Sequence, residues 1–486
     1  MAFSLLYKKG SASATTSIDS TVLYHFSLDR LVSNICADVK KRDIFLSVVS
    51  SLNSDVEEII YRREILRDLL DNRDLLREFS ALYKIFSELK DVQQRTHKEE
   101  FRISFSGMSS LGATRNILQN NAHCAMRALL FVKAFGELLS RYDLKSRGLL
   151  YFNHICQAIY ANDEYEKLLQ ACRCYATFSE SDSHNFRFLI NTSGRIEQYD
   201  LVYPEHIHIT DPDLKSKKGS LFKKVNQERH PSNRVYPRKN NYYEALEEGA
   251  LKNLSSLFAT IFNQIFEHFA LLGEELVFYE VALKYIDTLN VKGGGVCFPR
   301  LKATGKTEVK KLYDLFLLVS SPNVSQLVPN DVSWSHNGLV IFGDNSSGKT
   351  TYLRSIGTMQ ILAQAGLPIP CETADIVVCT QILTQFSESE KGFVVGNDAG
   401  RFEQEVRDLA KLVDSLQNGA LVFLNETFQS TDYSEGAEGL YYLLNHLSSC
   451  GVHWILVTHL HQLLNIGMKD NVSVGYMEGY CVNIDK

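Results

Sequence analysis

The sequence predicts a multidomain protein with an all-α region first, one long helix next and an α/β domain last. Apolar residues recur at helical spacing from about Leu23 to Tyr175, a stretch that contains no proline. A second apolar stripe continues over many turns from about Tyr242 to Leu289. After residue 295, short apolar runs alternate with helical segments, which is typical of an α/β domain.

The length and composition agree with several domains built around large cores. The chain has 486 residues, of which 45% are hydrophobic and 22% are charged, and this balance argues against global disorder. The net charge of −6 argues against a protein coated in nucleic acid, although an average can hide a basic patch.

Cysteine usage and the N-terminal residues favour a cytoplasmic protein. The ten cysteines are scattered, with Cys172 and Cys174 as the one close pair and no Cys-x-x-Cys motif, which disfavours zinc sites and disulfides. The first 20 residues lack the long apolar core of a signal peptide. No stretch reaches the roughly 20 apolar residues of a membrane span. We therefore expect a soluble protein in the cytoplasm.

The predicted helical domain covers residues 1–180. One helix is predicted to start at Ser54, with Glu57 three residues later completing a capping box. Residues 56–70 then carry apolar side chains at helical spacing. Further helical stretches are predicted over residues 116–142 and 148–174.

Residues 181–240 are predicted to leave the helical pattern. Strands are favoured over FRFLI (186–190) and LVYPEHIHIT (201–210). In residues 215–239, here called the basic segment, nine basic residues against one acid give +8, so the remainder of the chain carries −14. Such a flexible loop fits binding to a phosphate backbone or a merely solvated surface, and the residues alone leave both interpretations open. The basic residues are Lys215, Lys217, Lys218, Lys223, Lys224, Arg229, Arg234, Arg238 and Lys239.

The predicted long helix occupies residues 241–295. Its apolar stripe from Tyr242 to Leu289 would form a rod of roughly 70 Å if unbroken, at about 1.5 Å per residue. Gly273 is a predicted point of breaking or bending. The three glycines at 293–295 end the helix and mark a domain boundary.

Residues 296–486 are predicted to form the α/β domain. Its apolar runs are nearly continuous, which fits strands that are buried on both faces of a mostly parallel sheet. The runs are GLVIF (338–342), ADIVVC (374–379), GALVFL (419–424) and HWILVT (453–458).

The motif GDNSSGKT at residues 343–350 matches the phosphate-binding pattern G-x-x-x-x-G-K-[ST]. It follows the run 338–342 and opens a helical stretch, which is the context that this P-loop motif requires. Backbone N–H groups and the helix N-terminus would converge on phosphate oxygens. Lys349 would neutralise the β- and γ-phosphates, and the Thr350 hydroxyl would bind Mg²⁺.

Two later strands end in polar residues that we expect to meet the P-loop. LVFLNE (421–426) ends in Asn425 and Glu426, and HWILVTH (453–459) ends in His459. Because the carboxyl ends of adjacent parallel strands converge on one crevice, Glu426 would orient or deprotonate water and His459 would sense the γ-phosphate. Taken alone, His459 is more simply a surface residue, and His461 has no assignable role.

In their order, these segments resemble the MutS family of mismatch-repair ATPases. The shared motifs are Val328-Pro329-Asn330-Asp331, GDNSSGKTTYLRS, ILAQAGLPIP, LVFLNE and VTH, spread from about residue 328 to 464. The resemblance implies an ABC-type, MutS-like P-loop NTPase domain, a helical core domain and a lever helix that joins them. The excursion at 181–240 lies near the family's DNA-contacting clamp, so the resemblance favours a clamp-like remnant that binds DNA.

The resemblance also implies ligands and partners. ATP and Mg²⁺ would bind at the P-loop, with Thr350 and Asn425 directed to the metal. The ATPase domains would form a homodimer, in which the partner's segment near residues 400–405 completes each P-loop. The DNA would be structured or branched and bound without sequence preference. Nucleotide contacts are implied for Gly343, Asp344, Asn345, Ser346, Ser347, Gly348, Lys349, Thr350 and Thr351.

The sequence departs from the family pattern at several places. Helices that begin near residue 25 leave no room for the mismatch-reading and connector domains, so mismatch recognition is not expected. The family's Gly-Arg-His-Pro segment appears as LYDLFLLVSSP, and its signature serine falls on Gly400. The chain ends about 27 residues after His459, which leaves little for a C-terminal helix-turn-helix. Asn425 stands where the family has an acid.

The Asn425 substitution leaves two functions open. Asn keeps an acceptor oxygen but lacks the charge, and charge-assisted hydrogen bonds are roughly twice as strong as neutral ones. A tenfold loss of rate needs only about 1.4 kcal/mol, so we expect intact ATP binding and slow turnover. The chain is then a slow DNA-binding ATPase in repair or recombination, or an ATP-gated clamp or scaffold without significant hydrolysis. The absence of a Leu-Ser-Gly-Gly-type signature and of long coiled coils disfavours a chromosome-maintenance or transporter-type ATPase.

Overall fold

The structure, a computed structural model, describes residues 3–8, 15–106, 111–177, 185–190, 196–202, 241–334, 338–386, 401–428, 431–466 and 472–484. The chain divides into two units. Unit 1 contains Met1–Leu76, Leu144–Leu150 and Leu271–Lys486, and unit 2 contains Arg77–Asp143 and Tyr151–Ala270. These units do not coincide with the predicted boundaries at residues 180, 240 and 295, so that functional division stays a prediction.

Helices make up most of the described residues before 300, as the apolar spacing predicts. The predicted helix over 148–174 is two helices, because Asn162 accepts the Glu164 amide at 2.9 Å and starts a new one. The helices are α1 (Ser20–His25), α2 (Leu28–Ile35), α3 (Val39–Val49), α4 (Val56–Asp71), α5 (Arg73–Ser106), α6 (Leu111–Leu139), α7 (Arg147–Tyr160), α8 (Asp163–Ala176), α9 (Asn241–Phe269), α10 (Leu272–Lys292), α11 (Leu315–Ser320), α12 (Lys349–Gln364), α13 (Arg401–Asp414) and α14 (Tyr433–Ser449).

Strands are concentrated in the C-terminal part of the described chain. They are β1 (Thr15–Ser17), β2 (Ser51–Asn53), β3 (Asn185–Ile190), β4 (Ile196–Val202), β5 (Arg300–Lys302), β6 (Thr307–Leu312), β7 (Asn330–Trp334), β8 (Gly338–Gly343), β9 (Thr373–Val377), β10 (Ile382–Phe386), β11 (Leu421–Asn425), β12 (His453–Thr458), β13 (Val472–Glu478) and β14 (Cys481–Ile484).

The start of α4 differs from the predicted capping box. Asp55, and not Ser54, is the N-cap, and its carboxylate accepts the amides of Glu57 at 2.9 Å and Glu58 at 3.4 Å. A carboxylate at this position satisfies two amides and also interacts favourably with the positive end of the helix. The helix is therefore confirmed, but the predicted cap is wrong by one residue.

The predicted long helix at 242–289 is two helices, α9 and α10, separated at residues 270–271. Gly273, the predicted break, lies in the first turn of α10 instead. The predicted end is confirmed, because Gly293 is the left-handed C-cap of α10 with φ +72°. The predicted helix is therefore interrupted, and its two parts belong to different units.

Unit 2 is a helical array with an aromatic core. Helix α6 packs against α8 and α9, and the rings of Phe86 and Phe131 stack with centroids 4.1 Å apart. The antiparallel hairpin β3–β4 also belongs to this unit. The predicted strand at 186–190 is confirmed, whereas its partner is 196–202, earlier than the predicted 201–210. Residues 203–210 lie outside the described residues.

Unit 1 contains a six-stranded sheet of order β10-β11-β12-β8-β13-β14. Its first five strands are parallel, and β14 is antiparallel to β13. The predicted strands at 338–342, 419–424 and 453–458 are confirmed in this sheet. The run 374–379 is not in it: β9 pairs with β5 and β6 in a second sheet, and β10 occupies the place beside β11.

Helices cover both faces of the six-stranded sheet. Alternate residues such as Val340, Leu424 and Leu456 belong to one core with α14, because successive strand residues point to opposite faces. Helix α12 contacts β8, β11 and β12. The ring of Phe26 lies 5.0 Å from that of Phe423 on β11. In the part of the chain that the structure describes, no helix is long and apolar enough to cross a membrane.

The Phe26–Gly357 contact predicts a destabilising substitution. A Cβ added at Gly357 of α12 would lie 2.2 Å from the nearest atom of the Phe26 ring. Because overpacking a core costs about 1–3 kcal/mol, Gly357→Ala should lower the free energy of unfolding by that amount, measured by urea unfolding followed by circular dichroism.

Gly249→Ala is the matched control, because Gly249 lies in α9 with no atom within 4 Å of the added Cβ. Alanine at such a helical position should be neutral or stabilising by up to about 1 kcal/mol. Equal unfolding midpoints for the Gly357→Ala variant and the unsubstituted protein would contradict the described contact.

Candidate nucleotide-binding site

The P-loop connects β8 to α12, as the motif predicts. Gly343 ends β8, and Gly348 is the left-handed N-cap of α12 with φ +102°. The loop closes through the Ser347 amide, which donates to the Asp344 carbonyl at 3.2 Å. A Cβ on Gly343 would lie 2.9 Å from the Met477 carbonyl oxygen, so this position excludes larger residues. The N-terminus of a 16-residue helix is thereby directed at the loop, which favours anions there.

The Lys349 side chain is only 4% exposed, and its charge is paired. Its ammonium group donates to the carbonyls of Gly343 at 2.7 Å and Asp344 at 2.9 Å. The carboxylate oxygen Oε1 of Glu426 lies 3.2 Å from Nζ. Because a buried charge requires such partners, the pairing fixes Lys349 within the loop.

Glu426 joins Lys349 to His459. Its second carboxylate oxygen, Oε2, lies 2.7 Å from Nδ1 of His459, and its side chain is 12% exposed. The Glu426 amide donates to the Val457 carbonyl on β12 at 3.0 Å. The ring of Tyr433 meets that of His459 edge-on, with centroids 5.6 Å apart. The structure therefore brings the two predicted catalytic residues together beside the predicted phosphate-binding lysine.

Thr350 and Asn425 form an oxygen pair that fits Mg²⁺. The Thr350 hydroxyl donates to Asn425 Oδ1 at 3.0 Å, and Asn425 is 8% exposed. Among the described residues there is no cluster of three or more His, Cys, Asp or Glu able to hold a metal. Two neutral oxygens suit a hard cation whose other ligands are phosphates and water.

The other predicted P-loop residues lie in the loop or at the start of α12. Asp344, Asn345 and Ser346 are exposed. The Ser347 hydroxyl is buried and has no hydrogen-bond partner among the described residues, so it is a polar atom that a ligand could satisfy. Thr351 lines a cavity described below.

Some predicted site residues lie outside the described residues. These are Gly400 and the whole basic segment, 215–239. The DNA-binding assignment of that segment therefore remains a prediction. His461, which has no role in the sequence analysis, stacks on Phe342 of β8 with ring centroids 5.3 Å apart.

A cavity of about 250 Å³ adjoins the P-loop. It is not among the features expected from the sequence. Its lining includes Val328, Gly348, Thr351 and Tyr480. The Asn330 side chain donates to the Tyr480 carbonyl at 3.1 Å and accepts the Val482 amide at 2.8 Å, so it holds the β13–β14 turn beside the loop. Two residues of the Val-Pro-Asn-Asp motif, Val328 and Asn330, line this cavity, so the motif could have indicated it. No sequence motif marks Tyr480.

Two protein families match the chain. The family described as MutS domain V matches residues 339–479, which include the P-loop, Glu426 and His459. The family described as MutS2 N-terminal domain matches residues 54–292. Together these matches cover both the helical part of the chain and the sheet that carries the site.

Curated proteins similar to this chain are named as MutS or DNA mismatch repair proteins. The DNA mismatch repair protein MutS of Chlorobium phaeovibrioides is 26% identical over 281 residues, or 55% of this chain and 31% of that protein. MutS protein homolog 4 of Mus musculus is 30% identical over 130 residues, or 27% and 13%. The DNA mismatch repair protein MSH2 of Saccharomyces cerevisiae is 27% identical over 146 residues, or 29% and 14%. The chain thus spans less than a third of each of these relatives.

Proposed function

Because the chain belongs to the MutS family, we propose that it is an ATP-binding protein that acts on DNA and hydrolyses ATP slowly. The observation that carries this proposal is the buried chain of contacts from Lys349 through Glu426 to His459 beside the P-loop. This chain of contacts supports a site in which the phosphate-binding ammonium of Lys349 and the water-activating carboxylate of Glu426 form an ion pair. Repair or recombination is the proposed setting, and two of the relatives are named as mismatch repair proteins.

The nucleotide would bind with its phosphates on the P-loop and its base in the adjoining cavity. Backbone amides at the start of α12 and the Lys349 ammonium would hold the phosphates. The cavity, with apolar Val328 and aromatic Tyr480 in its lining, suits the flat surface of a purine. Because the cavity lies beside Gly348 and Thr351, one nucleotide could place its base in the cavity and its phosphates on the P-loop.

The residues at the end of β11 support hydrolysis. Glu426 would orient or deprotonate the attacking water, and His459 would hold the Glu426 carboxylate through Nδ1. The Thr350 and Asn425 oxygens would hold Mg²⁺, which would neutralise charge on the phosphates when bound. Asn425 offers the metal a neutral oxygen, and this is the reason to expect slow turnover.

An ATP-gated clamp or scaffold without significant hydrolysis is the second candidate function. Asn425 favours it, because loss of one negative charge beside the metal weakens positioning of the phosphates more than it weakens their binding. In this function, ATP binding without hydrolysis would change the affinity for DNA. Both candidates share the proposed homodimer through the ATPase domains, with the partner's segment near residues 400–405 completing each P-loop.

Steady-state ATP hydrolysis separates the two functions. We expect slow turnover in the unsubstituted protein and loss of turnover of about 100-fold or more in Glu426→Ala. Asn425→Asp keeps the acceptor for Thr350 and restores a charge, so its turnover should rise by up to about tenfold, equivalent to about 1.4 kcal/mol. Fluorescent-nucleotide titration should give similar affinities for all three proteins. Turnover in the unsubstituted protein no higher than in Glu426→Ala would favour the clamp and reject the ATPase.

Tyr480 tests where the base binds. Its side chain is 60% exposed at the cavity, and stacking of this kind contributes about 0.5–1.5 kcal/mol. Tyr480→Ala should therefore weaken ATP binding by about 2- to 12-fold in calorimetry and leave the affinity for inorganic tripolyphosphate unchanged. Tyr442→Ala, at an exposed tyrosine of α14, is the control and should change neither affinity. Equal weakening of tripolyphosphate binding by Tyr480→Ala would place the base elsewhere.

The basic segment is the proposed DNA contact, and its charge makes a salt-dependence test possible. We expect Lys217, Lys218, Lys223 and Lys224, changed together to Gln, to weaken binding of a branched DNA in a gel-shift assay. Because each phosphate contact contributes about 0.9 to the slope of log affinity against log salt, the slope should fall by up to about 3 to 4.

The matched control changes four exposed basic residues of the described chain to Gln: Arg141, Lys167, Arg407 and Lys411. This variant loses the same charge, so its affinity and salt slope should stay close to those of the unsubstituted protein. Equal effects of the two sets would show that net charge, and not the basic segment, determines binding.

A further inference from the structure

The turn that carries Glu426 has an unusual backbone. Glu426 has φ +54° and Phe428 has φ +62°, the left-handed region that residues other than glycine rarely adopt. Thr427 lies between them and is fully buried. Such a backbone persists only where surrounding contacts hold it. The contacts of this turn therefore also determine where the Glu426 carboxylate lies.

Glu405 of α13 contacts this turn directly. Its carboxylate oxygen Oε1 accepts the Phe428 amide at 3.0 Å. The same oxygen accepts the Gln385 side-chain amide at the longer distance of 3.5 Å. The Thr427 hydroxyl donates to Gln385 Oε1 at 2.5 Å. One carboxylate thus holds Phe428 directly and Thr427 through the buried side chain of Gln385.

A second contact from α13 reaches the same residue. The Phe402 ring lies 5.7 Å from the Phe428 ring, and Phe402 precedes Glu405 by three residues on the helix. Residues three apart lie on one helical face. The first two turns of α13 therefore contact Phe428 at both its amide and its ring.

We propose that Glu405 is a positioning residue for Glu426. By holding the 426–428 turn in its left-handed conformation, it keeps the Glu426 carboxylate between Lys349 and His459. This inference rests on the proposed function, in which Glu426 acts on the attacking water. Within its own chain, Glu405 does not touch the reacting atoms and acts through the backbone of the turn.

The first test compares Glu405→Ala, Glu405→Gln and the control Asp408→Ala. Asp408 is an exposed acid of the same helix whose contacts are with Gln404 and Lys411. Because small misplacements of a reacting group can cost about 100-fold, Glu405→Ala should lower kcat by about 10- to 100-fold with ATP affinity within about twofold of normal. Glu405→Gln keeps an acceptor for the Phe428 amide and should recover most of kcat. Asp408→Ala should leave kcat unchanged.

A readout that needs no turnover accompanies these rates. Hydrogen exchange at the Phe428 amide should become faster in Glu405→Ala and stay slow in Glu405→Gln and Asp408→Ala. A crystal structure of Glu405→Ala should show the contact between Glu426 Oε2 and His459 Nδ1 lengthened from 2.7 Å. These measurements report on the turn even if the unsubstituted protein does not hydrolyse ATP.

The outcomes separate the inference from the proposed function. An unsubstituted protein without turnover would reject the ATPase, and the exchange and crystal data would then decide the role of Glu405. An unchanged Glu426–His459 contact in Glu405→Ala would overturn the inference. A parallel loss of kcat, ATP affinity and thermal stability in the Ala and Gln variants would also overturn it, because that pattern indicates a purely structural residue.

Discussion

The Glu426 carboxylate, held between the Lys349 ammonium at 3.2 Å and the His459 ring at 2.7 Å, is the contact on which the proposed site depends. The three residues come from different elements: Lys349 begins α12, Glu426 directly follows β11, and His459 directly follows β12. A carboxylate this little exposed requires polar partners, and Lys349 and His459 supply them. The same two contacts hold the Glu426 carboxylate beside the P-loop, where the phosphates of a nucleotide would bind.

Sheet topology is what brings these elements together. Parallel pairing places Asn425 beside Val457 and Thr458 beside Phe342, so the carboxyl ends of β11, β12 and β8 lie at one edge. The fully buried apolar residues of these strands fix the register, because a shift by one residue would move each side chain to the opposite face of the sheet and break its packing. The position of Glu426 relative to the P-loop thus follows from packing far from the site.

The sequence predicts the parts of this arrangement whose signals are local. The P-loop is found because its motif lies between an apolar run and a helix, and the meeting of Glu426 with His459 follows from the convergence of parallel strands. The sheet containing β9 is not predicted, because an apolar run does not show which strands it pairs with. Tyr480 is not predicted, and Glu405 is expected only as part of the 400–405 segment beside a partner's P-loop, for a related reason. An exposed tyrosine in a turn and an acid on a polar helix resemble solvated surface until the tertiary contacts are known.

Single-turnover hydrolysis by rapid quench shows whether Glu426 activates the attacking water, because it follows ATP already bound to the P-loop and is insensitive to product release. We expect the unsubstituted protein to convert bound ATP to ADP. In Glu426→Gln, which keeps the size of the side chain, bound ATP should remain intact over the same interval. Equal survival of bound ATP in the two proteins would contradict the assignment of Glu426 as the water-activating residue.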